Sequence, residues 1–197
     1  MNTVITQNFN ITLRHWQDSD IEGYATLGTD PGAMKYISNG QIRNRSQIEK
    51  EVSDFRHLQQ ASGFSRWAAT LGTQDVFLGY AGFEKKDLGI NFGMRFLRRW
   101  WGTPWPFITG HLALCHAFDT LEFSSVYTLT NILHSKAIRM NMKYLNIETL
   151  DNDVHATLFG PHQRIIYTRK SFEAARQKNE LRIARFLNHR LCRGSTV

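Results

Sequence analysis

A chain of 197 residues with 42% hydrophobic and 12% aromatic content has enough apolar material for one packed domain, which excludes bulk disorder. No apolar run reaches the roughly 20 residues of a membrane span. Residues 1–15 show no basic segment followed by an apolar one, so neither a secretory leader nor a membrane partner is expected, and the reading is cytoplasmic. The formal charge of +7 is uneven: residues 161–197 carry nine Lys/Arg against two Glu, and the rest of the chain is neutral. Such a tail invites a nucleic-acid reading, but it lacks the interleaved aromatics of a single-strand binder, so a solvated basic helix is the expectation. Cys115 and Cys192 stand alone, the eight histidines are scattered, and His111 and His116 are five apart rather than on one helix face, so no metal is expected.

In chain order, residues 11–16 alternate as a strand, and Asp18 or Ser19 caps a helix ending near Gly28. Asp30-Pro31 opens a short second helix. Residues 45–61 form a third, with Ser46 and Glu49 as a capping box and Gly63 as its stop. Strands over 66–71, 76–83 and 90–97 follow, joined by gaps so short that they form an antiparallel meander, with residues 84–89 as a polar connection. A helix runs from about Phe107 to Leu121, then come a strand over 125–130 and a helix over 135–144 that Asn146 can end in the left-handed conformation. Residues 155–162 read as irregular, 164–168 as a last strand, and 172–191 as a final helix. The order implies a mixed α/β fold, a mostly antiparallel sheet of about six or seven strands. The domain is placed at 1–170, with a basic C-terminal helix and tail at 171–197.

The most informative stretch is 90–121. A strand leads into Arg98-Arg99, a Gly/Pro-rich turn and a helix start, where unpartnered N–H groups and the helix dipole favour an anion. Arg98 and Arg99 stand where they could add charge-assisted contacts to phosphate.

Taken together, TLRHWQDSDIEGYATL, DPGAMKYI, RWAATL, FLGYAGF, FGMRFLRRWWGTPW and NMKYLNI, in that order and spacing over residues 9–170, resemble the GNAT superfamily of N-acetyltransferases. More narrowly, they are similar to its ribosomal-protein alanine branch. The resemblance implies a twisted sheet splayed between strands 90–97 and 125–130, with acetyl-CoA as co-substrate in the splay. Its arm would pair with the backbone near Met94, Phe96 and Leu97. Its pyrophosphate would meet N–H groups around Arg99, Trp101, Gly102, Thr103 and Trp105, and Ser135 is a further contact. Of the family's loop pattern, Arg99 and Gly102 match. Pro104 stands where the family has Gly or Ala, and Pro104 and Pro106 offer no N–H.

The implied reaction is acetyl transfer to an amine, on a small molecule or a protein N-terminus, by a monomer or homodimer. The family often has a glutamate base where this chain has Asn91, which cannot accept a proton. Glu84, or a water ordered by Asn91, is the alternative. Tyr144 and Tyr127 are candidate acids for the leaving thiolate. Met34, Tyr36 and Trp67 are candidate acceptor-cleft residues, since the family's early helices wall that side. A second reading on the same fold is a catalytically impaired acyl-CoA-binding or interaction module.

Overall fold

The computed structural model describes residues 4–191, with side chains through Asn188; the expectation for Cys192 and the last tail residues lies outside this range. Eight strands form one sheet. They are β1 (Val4–Asn8), β2 (Ile11–Arg14), β3 (Arg66–Leu71), β4 (Val76–Lys86), β5 (Gly89–Phe96), β6 (Ser125–Asn131), β7 (Val154–Thr157) and β8 (Gly160–Thr168), in the spatial order β1-β2-β3-β4-β5-β6-β8-β7. All neighbours are antiparallel except β5 and β6, which are parallel. The sheet is the mixed, mostly antiparallel one expected, with more strands than six or seven. The polar segment Val4–Asn8 adds an edge strand, and residues read as irregular supply β7 and the start of β8.

Helices α1 (Asp20–Gly28), α2 (Pro31–Met34) and α3 (Arg45–Ser62) precede the meander, and α4 (Trp105–Asp119), α5 (Ser135–Leu145) and α6 (Arg169–Leu191) follow it. Their ends obey local chemistry. Asp30 caps α2 by accepting the Gly32 N–H at 2.8 Å, with Pro31 in the first turn. Helix α3 is boxed by Asn44 and Gln47 rather than Ser46 and Glu49, because the helix begins at Arg45 and Ser46 already lies inside its first turn, while Glu49 pairs with Arg45. Neither Asp18 nor Ser19 caps α1 with its side chain. Asp20 faces Arg14 instead, and also accepts the Gln17 N–H at 2.7 Å. Asn146 ends α5 at φ 53°.

The strand pleat divides the side chains between two cores. On one face Trp67, Phe83, Phe92 and Phe96 pack with Ile108, Leu112 and Phe118 of α4, and Phe172 and Ile183 bring α6 into the same cluster. On the other, Trp16, Tyr24, Ile48, Val52 and Tyr80 join α1 and α3 to the sheet. At roughly 25 cal/mol per Å² of buried apolar area, side chains such as Trp67 and Phe83, 1% and 0% exposed, dominate the drive to fold.

Candidate functional site

The site begins where the sheet parts. Strands β5 and β6 are joined at Asn91 and Tyr127, and no further pair continues the ladder among the described residues. Beyond that hinge each strand offers an unmatched backbone edge, which suits an extended guest. At the far end the halves meet again, where the Tyr36 ring lies against His134 with centroids 4.5 Å apart.

At the mouth of the splay the chain makes one 3-10 turn over Arg98–Trp100 and passes Gly102 at φ 75°, where a side chain would strain the backbone. It then enters α4, with Pro104 at the cap and Pro106 in the first turn. The helix starts two residues earlier than expected, since Trp105 is already helical. Several loop N–H groups are committed internally: Trp100 to Leu97 O, Trp101 to Arg98 O and Thr103 to Trp100 O. The Leu97 N–H is bonded to Leu78 O in β4. Trp101 is 45% exposed, and its indole donates to Phe96 O at 2.9 Å.

The two arginines are both engaged within the protein. Arg98 forks onto Asp30, the cap of α2, and Arg99 donates to Phe77 O at 3.2 Å and lies over the Trp100 ring. Asp30 thus serves α2 and the loop at once, and Arg98 holds its carboxyl below the usual range. Ser135, at the start of α5, is exposed, and its neighbour His134 caps that helix by accepting the Ala137 N–H at 3.2 Å.

The pleat sorts the remaining candidates. Asn91, Gly93 and Arg95 face α1–α3. Phe92, Met94 and Phe96 face α4, where the Tyr144 hydroxyl lies 3.7 Å from Met94 Sδ and donates to Pro106 O at 3.3 Å. Tyr144 is fully buried, and burial pushes its hydroxyl well above the usual value, so it stays protonated. Trp67 also lies on the α4 side, edge-on to Phe83 and His116, away from Asn91. Met34 is buried beside Arg95 at 3.4 Å, and Tyr36 is half-buried at the closure with His134.

On the Asn91 side a polar row has been assembled. Strand β4 runs through Lys86, so the hairpin turn is just Asp87-Leu88, and the register sets Glu84 directly opposite Asn91. Arg66 reaches across from β3. Its guanidinium lies over Gly93, where a Cβ would come within 2.9 Å of Arg66 Cζ. It donates to Asn91 Oδ1 at 3.0 Å and pairs with Glu84 at 3.3 Å. Asn91 Nδ2 donates to Tyr127 O at 3.4 Å. Beside this row opens a groove of about 360 Å³, lined by Asn91, Tyr127, Leu88, Leu129, Phe159 and His162. Burial raises the Tyr127 hydroxyl above its ordinary value.

Sequence reasoning missed Arg66, whose signal was an arginine at a strand start in line with a glycine two strands away. It also missed a set with ligand-like spacing on the α4 side. His111, Cys115 and Glu180 hold ligand atoms within 4.8 Å of one another, with His111 and Cys115 one helical turn apart. Glu180 is there already engaged by Arg176 at 3.0 Å.

Residues 10–144 match the model of the acetyltransferase (GNAT) domain family. Among solved structures, a GNAT-family acetyltransferase from Bacillus anthracis superposes with a TM-score of 0.69 at 12% identity, covering 82% of this chain and 96% of that one. Spermidine N-acetyltransferase from Vibrio cholerae, in complex with CoA and spermine, gives 0.67 at 14% identity, over 84% and 99% of the two chains. Aminoglycoside acetyltransferase AAC(6')-Ib, in complex with coenzyme A, gives 0.67 at 15%, also over 84% and 99%. These structural likenesses are of fold, while the family match spans most of the sequence and takes in the meander, the loop at Arg99–Trp105 and helix α5. The chain belongs to the GNAT acetyltransferase family.

Proposed function

We propose that the protein is an acetyl-CoA-dependent N-acetyltransferase that moves an acetyl group to an amine by direct attack. The observation that carries this reading is the splay beyond Asn91 and Tyr127, which exposes two strand edges next to the Gly102 turn and the start of α4. An acyl-CoA arm fits such edges as an added strand near Met94 and Phe96, whereas the Leu97 backbone is already bonded within the protein. Arg99, Trp101, Gly102, Thr103, Trp105 and Ser135 form the mouth toward its phosphates. Because Pro104 and Pro106 lack N–H groups and Thr103 is bonded internally, phosphate would be held with few backbone donors.

In the reaction the amine nitrogen bonds to the thioester carbonyl carbon, the C–S bond breaks, CoA leaves as a thiolate, and the nitrogen sheds a proton. In this reading a backbone N–H near Met94 receives the developing oxyanion. Asn91 is pinned between Arg66 and Tyr127 O and orients the acceptor side without taking a proton. Glu84, opposite it, is the carboxylate within reach, shared with Arg66 and Lys86. An α-amine, with a pKa of about 7.7–8.0, needs less help from a base than a lysine at about 10.4, so a free amino terminus or amino acid suits this site.

Two of the neighbours are named for amine substrates, spermidine and aminoglycosides, which supports the reaction class. Calorimetry with acetyl-CoA, followed by release of CoA thiol in the presence of amines, tests it. Binding with amine-dependent thiol release is expected, and no binding at millimolar acetyl-CoA would overturn it. Asn91 in the family's base position favours one alternative, an acyl-CoA-binding module without turnover. Binding with no thiol release for any amine would select that reading.

A further inference from the structure

The acceptor face carries a guanidinium that has no ion pair among the described residues. Arg95 lies on the same face of β5 as Asn91 and Gly93, two pleats along, toward the open end of the splay. Its Nε is buried and unpartnered, and among the described residues no carboxylate comes within ion-pair distance of it. Against it lie the Tyr80 ring at 5.4 Å and Met34 Sδ at 3.4 Å, and the Glu51 charge acts on it from beyond ion-pair distance. The acids nearby are taken. Glu51 accepts the Tyr24 hydroxyl and Arg43 Nε, Asp30 holds Arg98, and Glu84 holds Arg66 and Lys86.

Arg66, on the other side of the same Tyr80 ring at 5.8 Å, also has a buried Nε without a partner. On this face Arg66 is paired with Glu84, while Arg95 has no ion pair among the described residues. Burying a charge without its counterion is costly, and such a group is retained where something outside the fold completes it. A guanidinium matches a carboxylate, and the unpartnered Nε leaves one edge of Arg95 able to take one.

We infer that the acceptor is an amine that also bears a carboxylate, and that Arg95 is the specificity-determining residue that receives it. The inference rests on the acetyltransferase reading above and narrows its substrate class. It sets this chain apart from neighbours named for spermidine and aminoglycosides, since a polycation would meet like charge at Arg66 and Arg95.

The test uses the full chain, acetyl-CoA and three acceptors: an alanyl dipeptide with a free carboxylate, the same dipeptide as its C-terminal amide, and spermidine. The acid is expected to exceed the amide in kcat/KM by about tenfold to a hundredfold, mostly through KM, with spermidine slowest. Arg95→Met should collapse the acid-to-amide ratio toward one. Arg95→Lys, which keeps the charge and loses the fork, should retain part of it. An unfolding midpoint confirms that each variant is folded, and the wild-type ratio stands as a test if Arg95→Met does not fold. Spermidine or the amide turned over as well as the acid would overturn the inference while leaving the acetyltransferase intact, as would an acid preference that survives Arg95→Met. Absence of acetyl-CoA binding in calorimetry would remove both.

Discussion

Two buried arginines on this sheet are treated in opposite ways. Arg14 at the end of β2 is 4% exposed and saturated: two nitrogens grip Asp20 at 2.7 and 2.8 Å, and Nε and Nη2 hold Asp75. Arg95, on the acceptor side of β5, has an aromatic ring, a thioether and no carboxylate. The first arrangement closes its own electrostatics and joins β2, the start of α1 and the β3–β4 turn. The second leaves them open toward the cleft. A satisfied buried charge belongs to the fold, whereas an unsatisfied one on a binding face is addressed to a guest.

The largest effect expected from breaking this contrast is at Arg14. Arg14→Ala leaves Asp20, 3% exposed, without its counterion and should cost about 3–5 kcal/mol in urea unfolding. A loss below about 1 kcal/mol would mean that the cluster is not structural. Next is Gly93→Ala. The added methyl meets only the mobile end of Arg66, so the fold should stand while the guanidinium is pushed off Asn91. Transfer should fall by about tenfold with acetyl-CoA affinity unchanged, read from initial rates and calorimetry.

Smaller is Asp75→Asn, at about 0.5–1 kcal/mol, because that carboxylate is 46% exposed and screened. Burial raises the Asp75 carboxyl, but its bonds to Arg14 prevail and hold it below the ordinary value. Its contribution is therefore present above the unfolded carboxylate pKa and is lost as pH falls through the depressed one. The variant should be less stable by that amount at neutral pH and above, and should flatten the acid limb of the stability-versus-pH curve, where the wild type loses the same contribution. The smallest effect on stability is expected for Arg95→Met, within about 0.5 kcal/mol, since no ion pair is broken and no carboxylate is stranded. A loss like that of Arg14→Ala would show that the two arginines are alike after all.

The parts of the molecule legible in the sequence are those governed by neighbours a few residues apart. Alternation gave the meander, Asp30-Pro31 and Gly63 gave helix ends, and Arg99 with Gly102 marked the loop. What escaped depends on register and reach. Val4–Asn8 is too polar to announce a strand and becomes one only by pairing with β2. Glu84 sits opposite Asn91 because the hairpin turns on two residues, which a reading that ended the strand at Phe83 does not disclose. Trp67 and Arg66 are adjacent in sequence and face opposite sides of the sheet, so one lies under α4 and the other over Gly93. The commitment of Arg98 to Asp30, 68 residues away, follows from where α2 lands and from no local pattern.

The ring contact between Tyr36 and His134 has a dynamic consequence. The splayed strands are hinged at Asn91 and Tyr127 by the sheet and latched at the other end by one aromatic pair. Such a pair is worth about 0.5–1.5 kcal/mol, so as far as the latch is concerned the unlatched form is populated in roughly one molecule in three to one in fifteen. Entry to the cleft then needs no loss of secondary structure. A ligand that spans the gap need only outbid one tilted ring pair, and the resulting gate works on thermal motion alone.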